Sequence, residues 1–120
     1  MIIPQTEWLQ PQEYPDLRQY EEIAIDLETK DPDLKKLGTG SIVGNGEVVG
    51  IAVAVEGYRG YFPIAHGEGP NMERSKTLMW FKDICESKAT KIFHNAMYDV
   101  CWIRSLGINI NGLIIDTMIA

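Results

Sequence analysis

The chain has 120 residues, 45 % of them apolar, and its 11 Lys and Arg against 17 Asp and Glu leave a net charge of −6. That length holds one compact domain with a core, and the acidic balance argues against a general basic surface for duplex DNA. No apolar run is long enough to span a bilayer and the N-terminus lacks a signal-peptide pattern, so a cytoplasmic protein with no membrane partner is expected.

Pro4, Pro11 and Pro15 break regular structure at the start of the chain. Residues 1–20 are expected as an extended lead-in that packs on the rest through Trp8 and Leu17, with Tyr14 toward solvent. Glu22-Ile23-Ala24-Ile25-Asp26 reads as a central, mostly buried strand opening the body of the domain, 21–120. From Lys30 to Glu47 the chain carries Pro32 and glycines at 38, 40, 44 and 46, which predicts a long loop. The glycine spacing fits no known phosphate loop, and an ordinary connection is the better reading.

Val48–Val55 and Tyr58–Ile64 read as an antiparallel hairpin turning at Gly57. Asn71 is placed to cap a helix running to about Glu86, with Leu78, Phe81 and Cys85 facing the core. Lys91–His94 is a short strand. Asn95 is placed to cap a second helix to about Leu106, ended by Gly107. Leu113–Asp116 is a last strand. The order predicts an α/β domain: a mixed sheet, parallel in part, with helices on its faces. Cys85 and Cys101 both fall in helices without a C-x-x-C spacing, so two free thiols are expected.

Two segments carry chemistry. Asp26-Leu27-Glu28 puts two carboxylates on one face at the carboxyl end of a central strand, where ligand sites of such sheets lie. At an effective dielectric near 20, two like charges about 4 Å apart repel by roughly 4 kcal/mol, so one is protonated or a cation neutralises both. A turn acid beside a solvated glutamate explains the same residues. The second segment, Phe93-His94-Asn95-Ala96-Met97-Tyr98-Asp99, puts Asp99 in the first turn of a helix that follows a strand expected beside the first. Asp99 would then return to the end of the sheet that holds Asp26, although favouring the helix dipole is reason enough for an acid there. His66 and His94 lie far apart with no companion ligands, which argues against a metal role. Trp80 and Trp102 read as helix packing.

Taken together, the buried strand ending in D-x-E and the later strand-His-Asn-x-x-Tyr-Asp resemble the DEDD exonucleases. The likeness is greatest to the proofreading domain of family A DNA polymerases, DNA polymerase I and its phage relatives. It runs from Ile23 to Ala120. Asp26 and Glu28 match the first motif, Asn95, Tyr98 and Asp99 the second, and Ile115-Asp116-Thr117-Met118 the segment that follows it. The resemblance implies a ribonuclease H-like fold, incomplete at the C-terminus. It also implies 3′→5′ hydrolysis of the terminal phosphodiester of single-stranded DNA with two divalent cations, Mg2+ or Mn2+.

In that scheme Asp26 bridges both cations, Glu28 binds the one that activates water, and Asp99 serves the other through water. Leu27, Thr29, Asn95 and Tyr98 border the terminal nucleotide; for Asn95, a strand contact and a helix cap weigh evenly. Asp116 caps the next helix or supports the site from behind. The implied partners are the 3′ end of single-stranded DNA and a polymerase domain of the same parent chain, in the host cytoplasm if phage-encoded. A net negative charge is compatible with this, because phosphates approach cations held by carboxylates rather than lysines.

The family's third motif, Tyr or His followed four residues later by Asp, is absent from these residues, so the chain alone is expected to be inactive. Two other readings stay open. One is an RNA-trimming exonuclease of the RNase D type, against which the Asn-x-x-Tyr-Asp wording weighs. The other is a catalytically silent module that grips single-stranded DNA, against which the retained Asp26, Glu28 and Asp99 weigh for a longer parent protein but not for this chain alone.

Overall fold

A computed structural model describes residues 10–32, 40 and 45–118. The elements follow the expected order: β1 (Glu22–Lys30), β2 (Glu47–Val55), β3 (Tyr58–Pro63), α1 (Arg74–Cys85), β4 (Thr90–Phe93), α2 (Ala96–Ser105) and β5 (Ile114–Asp116). They form one five-stranded sheet in the order β3-β2-β1-β4-β5. β1 runs antiparallel to β2 and β2 to β3, whereas β1–β4 and β4–β5 are parallel. This mixed, open α/β arrangement is compatible with a ribonuclease H-like fold.

β1 is longer than the sequence suggested, continuing past Asp26 to Lys30. Its interior alternates cleanly, with Ile23, Ile25 and Leu27 buried and Glu22, Asp26 and Glu28 exposed. Across the sheet the register sets Leu27, Ile51 and Phe62 in one row and Asp26, Ala52 and Tyr61 in the next. Phe62 meets Trp80 of α1, their rings 4.2 Å apart, so the first row faces the helices. The register slips between Glu28 and Thr29, which pair with Gly50 and Val48, so that Val49 is the extra residue of a bulge. Val48 and Val49 are both buried there.

The helices do not divide between the two faces. Connections β3-α1-β4 and β4-α2-β5 step in the same direction along the sheet, and right-handed crossovers in one direction put both helices on one side. Phe81, Ile84 and Cys85 of α1 and Trp102 and Ile103 of α2 share a single core with Ile23, Ile25, Leu27, Ile51, Val53, Phe62 and Phe93. The other side carries Ala24, Asp26, Ala52, Ala54, Arg59, Tyr61 and Ile92, which line an open concavity of about 850 Å³. Among the described residues no helix is long and apolar enough to cross a membrane.

Several local expectations need correction. Residue Asn71 does not cap α1. That helix begins three residues later with Glu73 at its N-cap and no side-chain cap bond, while Asn71 pairs in both directions with the main chain of His66. Tyr14 is packed rather than solvent-facing: it stacks on Phe62 at 5.9 Å and hydrogen-bonds Thr77 Oγ1 at 2.8 Å. The lead-in does seat Leu17 in the core, 2 % exposed, and Pro15 accepts the indole N–H of Trp80. Trp8 and most of the Lys30–Glu47 connection lie outside the described residues. Cys85 and Cys101 are free, the first buried and the second half-buried.

Lys91 is fully buried in β4, which no sequence pattern announced. Its ammonium donates to the carbonyls of Ser87 and Asn111, tying the turn before β4 to the turn before β5. Burial pushes its pKa below the ordinary value. Beside it, Gly112 adopts φ +80°, and a Cβ there would stand 2.4 Å from the carbonyl oxygen of Ala89. Gly112→Ala is therefore expected to cost about 2 kcal/mol or more, from left-handed strain plus a backbone clash. Urea unfolding at constant slope would measure it, and an unchanged midpoint would contradict the clash.

Candidate active site

The site is built where β1 outruns β4. The parallel ladder covers only Glu22 to Ala24 of β1, so the edge beyond Ala24 is free of strand partners. The first turn of α2 fills that edge. Asp99 is 4 % exposed, and its Oδ2 accepts the main-chain N–H of Leu27 at 3.4 Å. A carboxylate thus reaches the main chain between Asp26 and Glu28, whose own side chains stand on the open face. Burial pushes the Asp99 carboxyl up from 3.8 to about 7; the Leu27 N–H opposes this and the charge of Asp26 adds to it.

Asn95 takes the N-cap position of α2, but with a left-handed backbone, φ 70° and ψ 64°, and no side-chain cap bond. The capping group is Asp116, from β5. Its two carboxylate oxygens accept the N–H groups of Asn95 at 3.0 Å and Ala96 at 2.9 Å. Met118 N–H adds a third bond. Burial works against ionisation of Asp116, yet these N–H groups, with the charge of His94, outweigh it and hold the carboxyl below its ordinary value. So Asp116 secures the start of the helix before it in the chain, and with it the turn that carries Tyr98 and Asp99. The Asn95 side chain is left exposed.

Tyr98 ties the same turn to the end of β1. Its hydroxyl donates to Asp31 Oδ2 at 2.8 Å and lies 2.9 Å from Thr29 Oγ1, so with its one proton committed it accepts from Thr29. Asp31 also accepts the N–H of Gly40. Sequence reasoning missed Asp31. Leu27 keeps its side chain in the core, 8 % exposed, and offers the site only its main chain. His94 contacts Thr117 Oγ1 at 3.0 Å, away from Asp26 and Glu28 in the hydrogen-bond pattern.

On the open face Glu28 is held by a residue that no sequence motif singled out. Its Oε2 accepts the hydroxyl of Tyr61 at 2.8 Å, and that hydroxyl also meets Nε2 of His66. Burial, then the bond to Glu28 and the charges of Glu28 and Asp26, push the Tyr61 pKa up. The donor set of Asp26, Glu28 and Asp99 is all oxygen, the chemistry of Mg2+ and Mn2+ rather than of softer metals. A buried carboxyl whose ionisation is resisted by burial and a neighbouring charge also gains from a cation. The three side chains border one strand end without closing on a common point. Among the described residues no group of three or more Asp, Glu, His or Cys is drawn together tightly enough to hold a metal ion.

A DNA-directed DNA polymerase of Pseudomonas phage M6 is 44 % identical to the chain over 62 residues. Over half its length, the chain is similar to a phage DNA polymerase. The matched stretch is half of this chain and 9 % of that polymerase. No protein-family model matches the chain.

Two outcomes test the site. Asp116→Ala should lower the melting temperature by a few degrees, since two N–H groups at the start of α2 lose their acceptor; an unchanged melt would show that solvent replaces the carboxylate without loss. The second concerns Asp99. Its folded pKa lies above the unfolded value, so the folded state binds more protons between pH 4 and 7. Its stabilising contribution is complete below pH 4 and is lost as pH rises through about 7. Without divalent cations, Asp99→Asn should therefore gain on the wild type as pH rises from 4 to 8, by up to about 4 kcal/mol. Denaturant midpoints of both proteins across that range would show it, and a pH-independent difference would mean that Asp99 ionises normally.

Proposed function

We propose that this chain is the front part of a 3′→5′ proofreading exonuclease domain of a DNA polymerase, acting on the 3′ end of single-stranded DNA. The observation that carries the reading is the approach of Asp99 to the main chain between Asp26 and Glu28, in a chain similar to a phage DNA polymerase over half its length. Those are the three carboxylates matched to the first two exonuclease motifs.

Asp26 and Glu28 would hold divalent cations on the open face, and Asp99 would serve them from the edge of β1 through water. When bound, such cations would supply a lowered pKa for an attacking water and stabilisation of charge on the phosphate oxygens. The chain's own residues do the positioning. Asp116 secures the start of α2, Tyr98 and Thr29 lock that turn to β1, and the buried setting of Asp99 keeps its carboxyl fixed. Thr29, Asn95, Tyr98 and the main chain of Leu27 would border the terminal nucleotide. A terminal nucleotide would have to be unpaired to reach cations held there, so a single strand is the proposed substrate.

The deciding experiment is Asp26→Ala in the polymerase that contains this segment. Digestion of 3′-labelled single-stranded DNA in Mg2+ should fall by roughly 10²–10³-fold or more. Polymerisation and the melting temperature should stay unchanged, because an exposed acid on a repulsive face contributes little to folding. Undiminished digestion in a folded variant would refute the reading, and a preference for RNA ends in the wild type would redirect it to RNA trimming.

A further inference from the structure

Tyr61, Gly50 and His66 are absorbed by neither exonuclease motif, yet they form one connected arrangement on the open face. Tyr61 belongs to the row Asp26-Ala52-Tyr61, while Glu28 belongs to the next row on the same face, opposite Gly50. For the Tyr61 hydroxyl to reach Glu28, the ring must lie across Gly50. A Cβ at Gly50 would stand 1.8 Å from the hydroxyl oxygen and 2.3 Å from Cζ of that ring. Every other residue type would close the path, so the missing side chain at position 50 is what lets the bond form.

The hydroxyl has one proton, and it goes to Glu28 Oε2 at 2.8 Å. The phenol oxygen then accepts from Nε2 of His66, which must carry a hydrogen. His66 is steadied in turn: its N–H donates to Asn71 Oδ1 at 2.8 Å, and Asn71 Nδ2 donates back to its carbonyl at 2.9 Å. A glutamate on the exposed face of a strand has many rotamers available. This relay selects one, occupying Oε2 and leaving Oε1 for another partner.

We infer that Tyr61, seated on Gly50 and backed by His66, is a positioning residue that presents one oxygen of Glu28 to a divalent cation. The inference rests on the proposed function, since it takes Glu28 as a cation ligand. It extends that reading to a third strand and to a histidine that binds no metal itself. Hydrogen-bond partners that orient a metal's ligands commonly account for 10- to 100-fold in metal affinity.

The test is Mn2+ binding to the full chain, followed by the loss of the free-ion electron paramagnetic resonance signal, with melting temperatures measured alongside. Asp26→Ala should abolish binding. Tyr61→Phe removes only the hydroxyl and should weaken binding about 10-fold at an unchanged melting temperature. His66→Ala should weaken it several-fold, His66→Gln should restore most of the loss through its own N–H, and His66→Ala added to Tyr61→Phe should change nothing further. If Tyr61→Phe melts early, the Ala and Gln variants of His66, a loop side chain, carry the same comparison. Binding abolished by Asp26→Ala but untouched by Tyr61→Phe and His66→Ala would overturn this inference and leave the cation site standing. Wild-type chain that binds no Mn2+, or binds it equally after Asp26→Ala, would overturn both.

Discussion

The candidate site depends on a difference in strand length. β1 has nine residues and its parallel neighbour β4 has four. A central strand paired along its whole length would have no main-chain N–H to spare. Here the short ladder stops at Ala24, and the amide of Leu27 meets a side chain instead of a carbonyl. Buried N–H groups require partners, so the gap both admits α2 and dictates that its first turn bring an acceptor. Asp99 meets that structural need with its Oδ2.

The two faces of the sheet then divide the labour. One is sealed by α1 and α2 and holds the large apolar side chains. The other carries small residues, Ala24, Gly50, Ala52 and Ala54, with the two acids of β1 standing among them. Low side chains in the middle of that face let Tyr61 lie across it and touch Glu28. Asp99 belongs to the sealed side and reaches toward the acids around the edge, which is how a buried carboxyl and two exposed ones come to border the same strand end.

Much of this was legible in the sequence, because hydrophobic period and turn residues are local signals. The element order, the hairpin at Gly57, the end of α2 at Gly107 and the shared face of Asp26 and Glu28 all followed from spacing. What escaped was long-range. Asn71 and Asn95 are good caps by residue type, but the main chain of His66 engages the first and Asp116, 21 residues on, replaces the second. Tyr14 looked solvent-facing because its partners, Phe62 and Thr77, lie 48 and 63 positions away. Lys91 follows Lys88, Ala89 and Thr90 in a segment that reads as half-solvated, and its burial depends on two carbonyls offered by separate turns. The link between Tyr61 and Glu28 needed the register of three strands and the absence of a side chain at Gly50, neither of which any short motif encodes.

The two thiols differ in a way that makes one of them a timekeeper. The thiolate is the species that reacts with alkylating reagents, and burial pushes Cys85 up to about 12. At neutral pH in the folded state its reactivity is negligible, since the group is both neutral and enclosed by α1 and the sheet. Each modification of Cys85 therefore records an excursion in which the core has opened. With the half-buried Cys101 replaced by serine to silence the background, the labelling rate becomes an intrinsic count of how often the protein comes apart.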